Sequence, residues 1–366
     1  MRFDDLLACG AERMRMRHSY QPNGNATETH RTGRPEMRTA SMVVGVGALL
    51  GLALAQETLA FDLQGHRGAR GLAPENTVPA FATALSLGVT TLELDTGITK
   101  DGIVVISHNT ALNPDITQDK DGKWLGKPGP AISSLTYAEL QTYDVGRINP
   151  FSNYAKSFPD QKGVNGTRIP KLADLFALIK KAGNTQVRFN IETKLSPLNP
   201  SETPDPETFA KTVVGIIRDE GMVGRTTIQS FDWRTLQVVQ RIAPEIPTVY
   251  LSCQDRSFDT IAVNKAEGSP WTAGIQYKDH GSVPKMVKAG GGKVWSPLHA
   301  DLSEFKVKEA HELGMQVVVW TVNDPAQIKK MLDFGVDGII TDRPDLVRQV
   351  MAERKMPLPP ATPVEP

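Results

Sequence analysis

From residue 61 onward, short apolar runs alternate with amphipathic segments of helical period. The run 90–99, TTLELDTGIT, alternates apolar and polar positions as a half-buried strand does. This pattern predicts strands at 61–66, 90–99, 103–109, 187–194, 226–231, 248–252, 293–298, 316–322 and 337–342. Helical periods separate most of these strand candidates, over 77–87, 172–183, 209–221, 232–242, 303–313 and 325–334.

Repeated strand–helix units with short connections favour a parallel sheet covered by helices. About eight units over residues 61–355 fit a single-domain α/β fold, the (β/α)8 TIM barrel. A doubly wound open sheet is the alternative, but no G-x-G-x-x-G follows the first strand candidate. Residues 110–168 are polar and weakly periodic, which predicts an insertion after the third strand candidate, over the active-site end. The Pro-rich segment 356–366 is predicted to be a disordered tail.

The first sixty residues follow a different pattern. Residues 1–36 are polar, whereas 37–60 have a short basic start, an apolar run and small residues before Ala55 and Ala60. These three parts are typical of a secretory signal peptide. We therefore expect 1–36 to be an over-extended N-terminus, 37–60 to be removed near Ala55 or Ala60, and the mature protein to be exported, into a periplasm or out of the cell. An uncleaved anchor is the alternative, although the apolar run is short for a membrane span.

Charge and cysteine content exclude several classes of function. The 41 basic and 41 acidic residues balance, so the chain lacks the excess positive charge that is typical of proteins that bind nucleic acid or an anionic membrane surface. Of the two cysteines, Cys9 and Cys253, only Cys253 lies in the expected mature chain. One thiol provides neither an internal disulfide nor a cysteine-based metal site. We expect a small-molecule partner, no nucleic acid and no stable membrane anchor, and the oligomeric state stays open.

Two pairs of charged residues lie on strand candidates. Glu93 and Asp95 are two positions apart on the second, and Glu192 and Lys194 are two apart on the fourth. Side chains alternate across a strand, so each pair shares a face, and in a closed barrel that face points at the axis. Three carboxylates converging there are costly to desolvate without a cation. Because carboxylate oxygens suit hard ions, the pattern predicts one divalent cation, Mg²⁺ or Ca²⁺.

Two histidines complete this pattern. His66, with Arg67, ends the first strand candidate, and His108, with Asn109, ends the third. In phosphoryl chemistry a metal and an arginine hold the phosphate charge, one histidine removes a proton from the nucleophile, and the other supplies one to the leaving oxygen. Taken singly, a histidine at a strand end is more often structural, and Asp342 at the end of the last strand candidate is expected to hold a loop. The order of these groups on successive strands favours a site.

Five sequence blocks resemble the glycerophosphodiester phosphodiesterase family: HRGARGLAPENT, LELDTGITKDGIVVISHN, IETK, WTVND and GVDGIITDRPD. The resemblance covers nearly all of residues 61–350, and the long segment after the third strand candidate resembles the family's exported branch. It implies a TIM barrel that hydrolyses glycerophosphodiesters, such as glycerophosphocholine and glycerophosphoethanolamine, to sn-glycerol 3-phosphate and an alcohol. In the implied chemistry the neighbouring glycerol hydroxyl attacks phosphorus, and water then opens a cyclic phosphate.

The resemblance implies roles for the residues at matching positions. They are the catalytic histidines His66 and His108, the divalent-metal ligands Glu93, Asp95 and Glu192, and the phosphate contacts Arg67 and Lys194. One departure from the family is Asn109, where an aspartate is common. If that aspartate only orients its neighbours, an asparagine can replace it. If it tunes the pKa of His108, its replacement shifts the pH optimum. Trp320 is a candidate wall of the glycerol site or a core residue. Glu75 is a candidate partner of Arg67 or a favourable charge at a helix start.

Two other functions stay open at this stage. Hydrolysis of lysophospholipids or another phosphodiester, in the manner of a phospholipase D, would use the same residues and predicts exposed apolar side chains in the insertion. Phe151, Tyr154 and Phe158 are there, but the segment is otherwise polar, which favours water-soluble substrates. A non-catalytic binding protein predicts the loss of a histidine or a metal ligand, and none is lost.

Overall fold

The computed structural model describes residues 61–366, in which eight parallel strands close into a barrel. The first strand pairs with both the second and the last, and this double pairing closes the sheet and confirms the (β/α)8 prediction. The predicted extension, 1–36, and signal peptide, 37–60, lie outside the described residues. Numbered along the chain, the barrel strands are β1 (Asp62–Gly65), β2 (Thr91–Ile98), β4 (Arg188–Thr193), β5 (Thr226–Ser230), β6 (Thr248–Ser252), β9 (Val294–Pro297), β10 (Gln316–Val319) and β11 (Gly338–Thr341).

Helices cover the outside of the barrel. The first begins where Thr77 Oγ1 accepts from the Ala80 N–H, carries Pro79 in its first turn, and ends at Gly88 with a φ of +88°, in agreement with the helical period over 77–87. Within 61–366, no helix has the length and apolar content needed to cross a bilayer. The covering helices are α1 (Val78–Leu87), α4 (Leu172–Lys181), α5 (Pro206–Asp219), α6 (Trp233–Ile242), α8 (Val283–Ala289), α9 (Glu304–Glu312), α10 (Pro325–Asp333) and α11 (Pro344–Glu353). A hairpin of β7 (Gln254–Asp255) and β8 (Phe258–Asp259) and the short α7 (Tyr277–His280) follow β6.

One predicted strand lies outside the barrel. β3 (Val104–Ile106) pairs antiparallel with the end of β2, and Thr96 stands opposite Ile106. The turn between the two strands is tight, because the Gly102 N–H donates to the Thr99 carbonyl and Gly102 has a φ of +80°. Such a turn joins antiparallel neighbours, whereas parallel neighbours need a crossover of roughly a dozen residues or more. The third strand candidate is therefore a hairpin arm, and the other strand candidates build the barrel.

The insertion, residues 110–168, carries its own small core. It contains a 3-10 turn (Ile132–Ser134) and the short helices α2 (Tyr137–Leu140) and α3 (Asn153–Ser157). Its apolar side chains pack together with one residue of β3 and with the residue that follows the insertion; the cluster is Val105, Leu112, Ile132, Leu140, Val145 and Ile169. The Lys162 N–H donates to the Leu72 carbonyl at 3.0 Å. This bond fixes the end of the insertion to the loop that follows β1, at the carboxyl end of the barrel strands.

The barrel interior is divided into an apolar and a polar half. Inward side chains of β6, β9, β10 and β11 form an apolar cluster that includes Val249, Val318 and Ile340. On the opposite side, Asn190 Nδ2 donates to both Gln64 Oε1 and Gln229 Oε1 at 2.9 Å. Buried amides in such a chain satisfy one another. The polar half, on β1, β2, β4 and β5, is where the charged residues predicted from the sequence lie.

The C-terminal segment, 356–366, has no regular secondary structure but packs against the barrel helices. The Thr362 N–H donates to the Leu85 carbonyl at 2.8 Å, and the side chains of Met356 and Val364 pack against the main core. The structure thus differs from the disordered tail that the proline content predicts. Prolines stiffen the chain and remove hydrogen-bond donors, so few backbone groups need partners, and the apolar side chains between them are free to dock.

Candidate active site

Three carboxylates converge inside the barrel. Glu93 and Asp95 project from β2 and Glu192 from β4, and Asp95 and Glu192 are paired residues of the two neighbouring strands. One oxygen of each carboxylate lies within 4.8 Å of the others. Their exposed fractions are 1 %, 1 % and 6 %. The alternation of side chains along β2 and its register with β4 produce this cluster.

Two donors hold Glu93. Gln229 Nε2 donates to Oε1 at 2.7 Å, and the backbone N–H of Arg67 donates to Oε2 at 2.9 Å. Even so, burial and the negative charge of Asp95 raise the pKa of Glu93 well above its usual range. Asp95 in turn accepts from Asn76 Nδ2 at 2.8 Å. The hydrogen-bond donors favour the ionised forms of Glu93 and Asp95, but repulsion between the two negative charges disfavours ionisation of both.

Lys194 neutralises part of the cluster. Its Nζ donates to Glu192 Oε1 at 2.7 Å and lies 3.7 Å from Asp95 Oδ1. Burial raises the pKa of Glu192 to about 7, with Asp95 adding to the rise and Lys194 opposing it. Burial also disfavours the charge of Asp95, but His108, Arg67 and Lys194 hold its pKa below the usual range. Three buried carboxylates beside so few cations fit a hard divalent ion, because its charge removes their repulsion and oxygen atoms are its preferred ligands.

His66 follows β1 and is tied to the residue that follows β11. Its Nδ1 lies 2.6 Å from Asp342 Oδ1. Arg70 donates to both oxygens of Asp342, from Nε at 2.8 Å and from Nη2 at 3.0 Å, and Asn323 Nδ2 adds a third bond at 2.7 Å. Although burial opposes its charge, Arg70 and His66 hold the pKa of Asp342 well below the usual range. Asp342 is therefore ionised and accepts the proton on Nδ1.

The other ring nitrogen of His66 faces the cluster. Because Nδ1 carries the proton, Nε2 carries the lone pair, and it lies 3.9 Å from Glu93 Oε2. Burial, followed by the charge of Arg70, lowers the pKa of His66 to about 4, against the pull of Asp342. The ring is thus neutral at pH 7 and set to accept a proton at Nε2.

His108 lies beyond β3, beside the same cluster. Its Nδ1 is 3.1 Å from Asn109 Oδ1, and because an amide oxygen only accepts, Nδ1 donates this bond. Nε2 then carries the lone pair in the neutral ring and a proton in the imidazolium. The ring lines a small cavity together with Glu75, Asn76 and, from the insertion, Asn113. Asn109 thus accepts the hydrogen bond that an aspartate would accept at this position, but it carries no negative charge.

Arg67 is fixed between two carboxylates. Its Nη1 donates to Glu75 Oε1 at 2.6 Å, and its Nε lies 3.2 Å from Asp95 Oδ2. The backbone of Arg67 has a φ of +50°, which non-glycine residues adopt rarely and mostly where the surroundings enforce it. At Gly68, with a φ of +85°, a Cβ would lie 2.7 Å from the Ala80 carbonyl carbon. The turn therefore packs directly on α1, and Glu75 is the partner of Arg67.

Trp320 is part of the apolar half of the barrel. Its exposed fraction is 8 %, and its Nε1 donates to the Ser296 carbonyl at 2.9 Å. The ring meets Phe231 edge to face, with centroids 5.4 Å apart. Lys194 Nζ lies 5.8 Å from the Phe231 centroid, so this aromatic pair borders the charged cluster on its apolar side.

Sequence reasoning missed several residues that the structure brings to the site. It expected Asp342 to hold a loop, and it did not propose Arg70 or Asn76 for the site, although both bind site residues through their side chains. Tyr154 was considered only as a candidate exposed apolar residue, whereas its hydroxyl donates to Glu75. The sequence offered one signal for these contacts, the second arginine in HRGARG, three positions after Arg67. Arginines that follow a buried strand are seldom buried without acidic partners, so Arg70 indicated a further carboxylate nearby.

Comparison with known proteins gives a consistent assignment. Residues 66–346 match the model of the glycerophosphoryl diester phosphodiesterase family. A glycerophosphodiester phosphodiesterase from Bacillus altitudinis is 30 % identical over 292 residues, which are 79 % of this chain and 98 % of that protein. One from Bacillus subtilis is 26 % identical over 295 residues, 78 % of this chain and 84 % of its own. The crystal structure of a candidate glycerophosphoryl diester phosphodiesterase from Silicibacter pomeroyi is 34 % identical, with a TM-score of 0.73 over 81 % of this chain and 95 % of that one. This chain therefore belongs to the glycerophosphoryl diester phosphodiesterase family of enzymes.

Proposed function

We propose that the enzyme hydrolyses glycerophosphodiesters, such as glycerophosphocholine and glycerophosphoethanolamine, to sn-glycerol 3-phosphate and an alcohol. The observation that carries this proposal is the buried cluster of Glu93, Asp95 and Glu192 beside a neutral histidine and an arginine. The family match supports the same substrate class. A phosphodiester supplies the negative charge that these groups would bind.

The three carboxylates would hold one divalent cation, Mg²⁺ or Ca²⁺. When bound, it supplies positive charge that polarises the phosphoryl group. All the ligand atoms would be oxygens, and this set does not suit thiophilic metals, which prefer sulfur ligands. Gln229 and Asn76 orient Glu93 and Asp95 from behind, and such outer contacts keep ligating groups in place.

Two histidines would divide the proton transfers. In the first step the neighbouring glycerol hydroxyl attacks phosphorus, its proton passes to one histidine, and the alcohol leaves with a proton from the other. Water then opens the cyclic phosphate by the reverse transfers. Asp342 stabilises the imidazolium of His66 when it forms, and Asn109 fixes the tautomer of His108. Which ring accepts the first proton depends on how the substrate lies between them.

Arg67 and Lys194 would bind the phosphate oxygens. Both are already partnered by carboxylates of the site, so their guanidinium and ammonium groups are held in place before substrate arrives. Phe231 and Trp320 offer an apolar face beside Lys194. We propose that this face contacts the carbon atoms of glycerol.

The test is release of sn-glycerol 3-phosphate from glycerophosphocholine by purified residues 61–366. The assay is run with EDTA, then with Mg²⁺ or Ca²⁺ restored, and beside His66→Ala and Glu93→Ala. Asp121→Asn, an exposed carboxylate of the insertion paired with Lys120, is the matched control. Metal-dependent release that is lost in both site variants and kept in the control is the expected result.

Other results would assign other functions. Release of choline from lysophosphatidylcholine, without release from glycerophosphocholine, would replace the proposed substrate by lysophospholipids. Failure on every phosphodiester with either ion, with the protein folded, would favour a binding protein. Activity that survives Glu93→Ala unchanged would remove the carboxylate cluster from the mechanism.

We also propose that the enzyme works after export. The support is the signal peptide pattern at 37–60. Cell fractionation and N-terminal sequencing of the expressed protein test it, with a new N-terminus after Ala55 or Ala60 as the expected result. A cytoplasmic product that keeps residues 37–60 would overturn it.

A further inference from the structure

Part of the insertion docks on the loop that carries the site residues. Gln161 Nε2 donates to the Arg70 carbonyl at 2.8 Å. Asp160 pairs with Arg343, which follows β11, at 2.6 Å. The helix α3 lies just before these contacts and presents Tyr154 to the same loop. The insertion therefore touches both chain segments that hold His66.

The hydroxyl of Tyr154 joins two charged side chains. It donates to Glu75 Oε2 and accepts from Arg70 Nη1 at 3.1 Å. Burial raises the pKa of the phenol, with Glu75 adding to the rise and Arg70 opposing it. The phenol is thus protonated and supplies one donor to an anion and one acceptor to a cation.

Both partners lead directly to the reaction site. Glu75 uses its other oxygen, Oε1, to accept from Arg67 at 2.6 Å. Arg70 donates from Nε and Nη2 to Asp342, which holds Nδ1 of His66. One hydroxyl therefore lies two hydrogen bonds from the phosphate-binding arginine and three from the histidine.

The hydroxyl keeps two opposite charges apart. Without it, Glu75 Oε2 would lose its donor and Arg70 Nη1 its acceptor, and buried groups left in this way are costly. A carboxylate and a guanidinium in this position would pair with each other. That pairing would draw Arg70 from Asp342 and relax the hold of Glu75 on Arg67.

Removing the hydroxyl alone leaves the packing in place. The Tyr154 ring meets Phe158 edge to face, with centroids 4.9 Å apart, and the Arg70 guanidinium lies 4.6 Å above the Phe158 ring. A phenylalanine at position 154 would keep these contacts. The polar function of the side chain can thus be separated from its shape.

We propose that Tyr154 is a positioning residue through which the insertion completes the active site. It sets Arg67 through Glu75 and His66 through Arg70 and Asp342. The expected kinetic effects rest on the proposed function. The position of Arg67 also affects the affinity for inorganic phosphate, which does not depend on that function. The insertion is then part of the site itself, because the barrel without it lacks the group that separates Glu75 from Arg70.

The experiment compares Tyr154→Phe with Tyr143→Phe, a matched loss of one hydroxyl elsewhere in the insertion. We expect Tyr154→Phe to lower kcat/KM for glycerophosphocholine by about tenfold or more, since two hydrogen bonds to charged groups are lost. The dissociation constant for inorganic phosphate, measured by calorimetry, rises in parallel because Arg67 is displaced. Tyr143→Phe leaves both quantities within about twofold, the range expected of a substitution away from the site.

A merely structural role would give a different pattern. Partial misfolding lowers the active fraction, so kcat falls while KM and the phosphate dissociation constant stay at the wild-type values. In a Glu75→Gln background, Tyr154→Phe should have a much smaller effect than in the wild type, because residues acting through one another are not additive. Unchanged phosphate affinity, or equal effects in both backgrounds, would overturn the proposal. Phosphate binding does not need turnover, so it tests Tyr154 even where the substrate assignment fails.

Discussion

His66 Nδ1 and Asp342 Oδ1 lie 2.6 Å apart, although the two residues stand 276 positions apart in the chain. Closure of the barrel creates this contact, because Gly65 and Thr341, the last residues of β1 and β11, are paired. His66 and Asp342 directly follow them in the chain. The last strand thereby sets the tautomer of a histidine on the first. An aspartate in this position both orients the ring and stabilises its protonated form.

Asp342→Asn should therefore lower kcat by on the order of a hundredfold or more while the fold is kept. The amide keeps the size of the side chain, but it removes the charge that stabilises the His66 imidazolium and lets an N–H face Nδ1. Steady-state kinetics on glycerophosphocholine and a thermal melt measure the two quantities. Asp345→Asn, which alters a partly exposed pair with Arg343, is the control and should stay close to wild type. Equal activity of the two variants would show that Asp342 only holds the loop.

The sequence predicted the barrel and its carboxylate cluster because both depend on local periodicity. Alternation along β2 places Glu93 and Asp95 on one face whatever the neighbouring strand is. The same argument applies to Glu192 and Lys194 on β4. The closed topology then brings the two pairs together, so strand-end chemistry could be inferred without knowing the register.

Contacts between distant loops could not be inferred in this way. Asp342 meets His66 only through barrel closure, and Tyr154 meets Glu75 only through the docking of an insertion without strong periodicity. The hairpin position of β3 depends on a short turn that a count of apolar runs does not weigh. The C-terminal segment was misjudged because proline content describes the free chain and not the surface available to it.

Removing the metal should destabilise the enzyme by restoring repulsion in the carboxylate cluster. We expect Mg²⁺ or Ca²⁺ to raise the Tm of the wild type after EDTA treatment, since a ligand that binds only the native state stabilises it. Glu93→Gln should lose most of this rise, because one ligand charge is removed. Differential scanning calorimetry with and without each ion measures it. Asp121→Asn should respond as the wild type does; a Tm that neither ion moves in the wild type would contradict the metal site.

Cys253 should be unreactive in the folded enzyme. It is 3 % exposed, and burial raises the pKa of its thiol to about 12. At pH 8 the reactive thiolate is then about 10⁻⁴ of the total. Ellman's reagent should titrate no thiol in native residues 61–366 and one per chain in guanidinium chloride. Rapid reaction in the native state would mean that the segment after β6 opens.

Deleting residues 356–366 should lower stability without changing catalysis. The segment packs the partly buried Met356 and Val364 against the main core and accepts a hydrogen bond from Arg348 at the Pro359 carbonyl. Loss of about 1 kcal/mol or more would lower the Tm by roughly 2–4 °C. A thermal melt and steady-state kinetics on the shortened chain measure the two effects. A Tm equal to that of the full-length enzyme would mean that these contacts are not stabilising in solution.

In the metal-free enzyme, His66 should contribute a loss of stability between pH 7 and pH 5. Its folded pKa, about 4, lies below that of an unfolded histidine, near 6.5. The unfolded chain therefore takes up the proton first, and the stabilising contribution, complete above pH 6.5, is lost as the pH falls toward 4. His66→Gln removes this titration and keeps a donor for Asp342. Glu93 and Glu192, whose pKa values are raised, act in the opposite direction in both proteins. Urea unfolding in EDTA should therefore show that acidification from pH 7 to pH 5 changes the free energy of unfolding of the wild type by about 2 kcal/mol less favourably than that of the variant, and identical changes would mean that the ring is not held neutral.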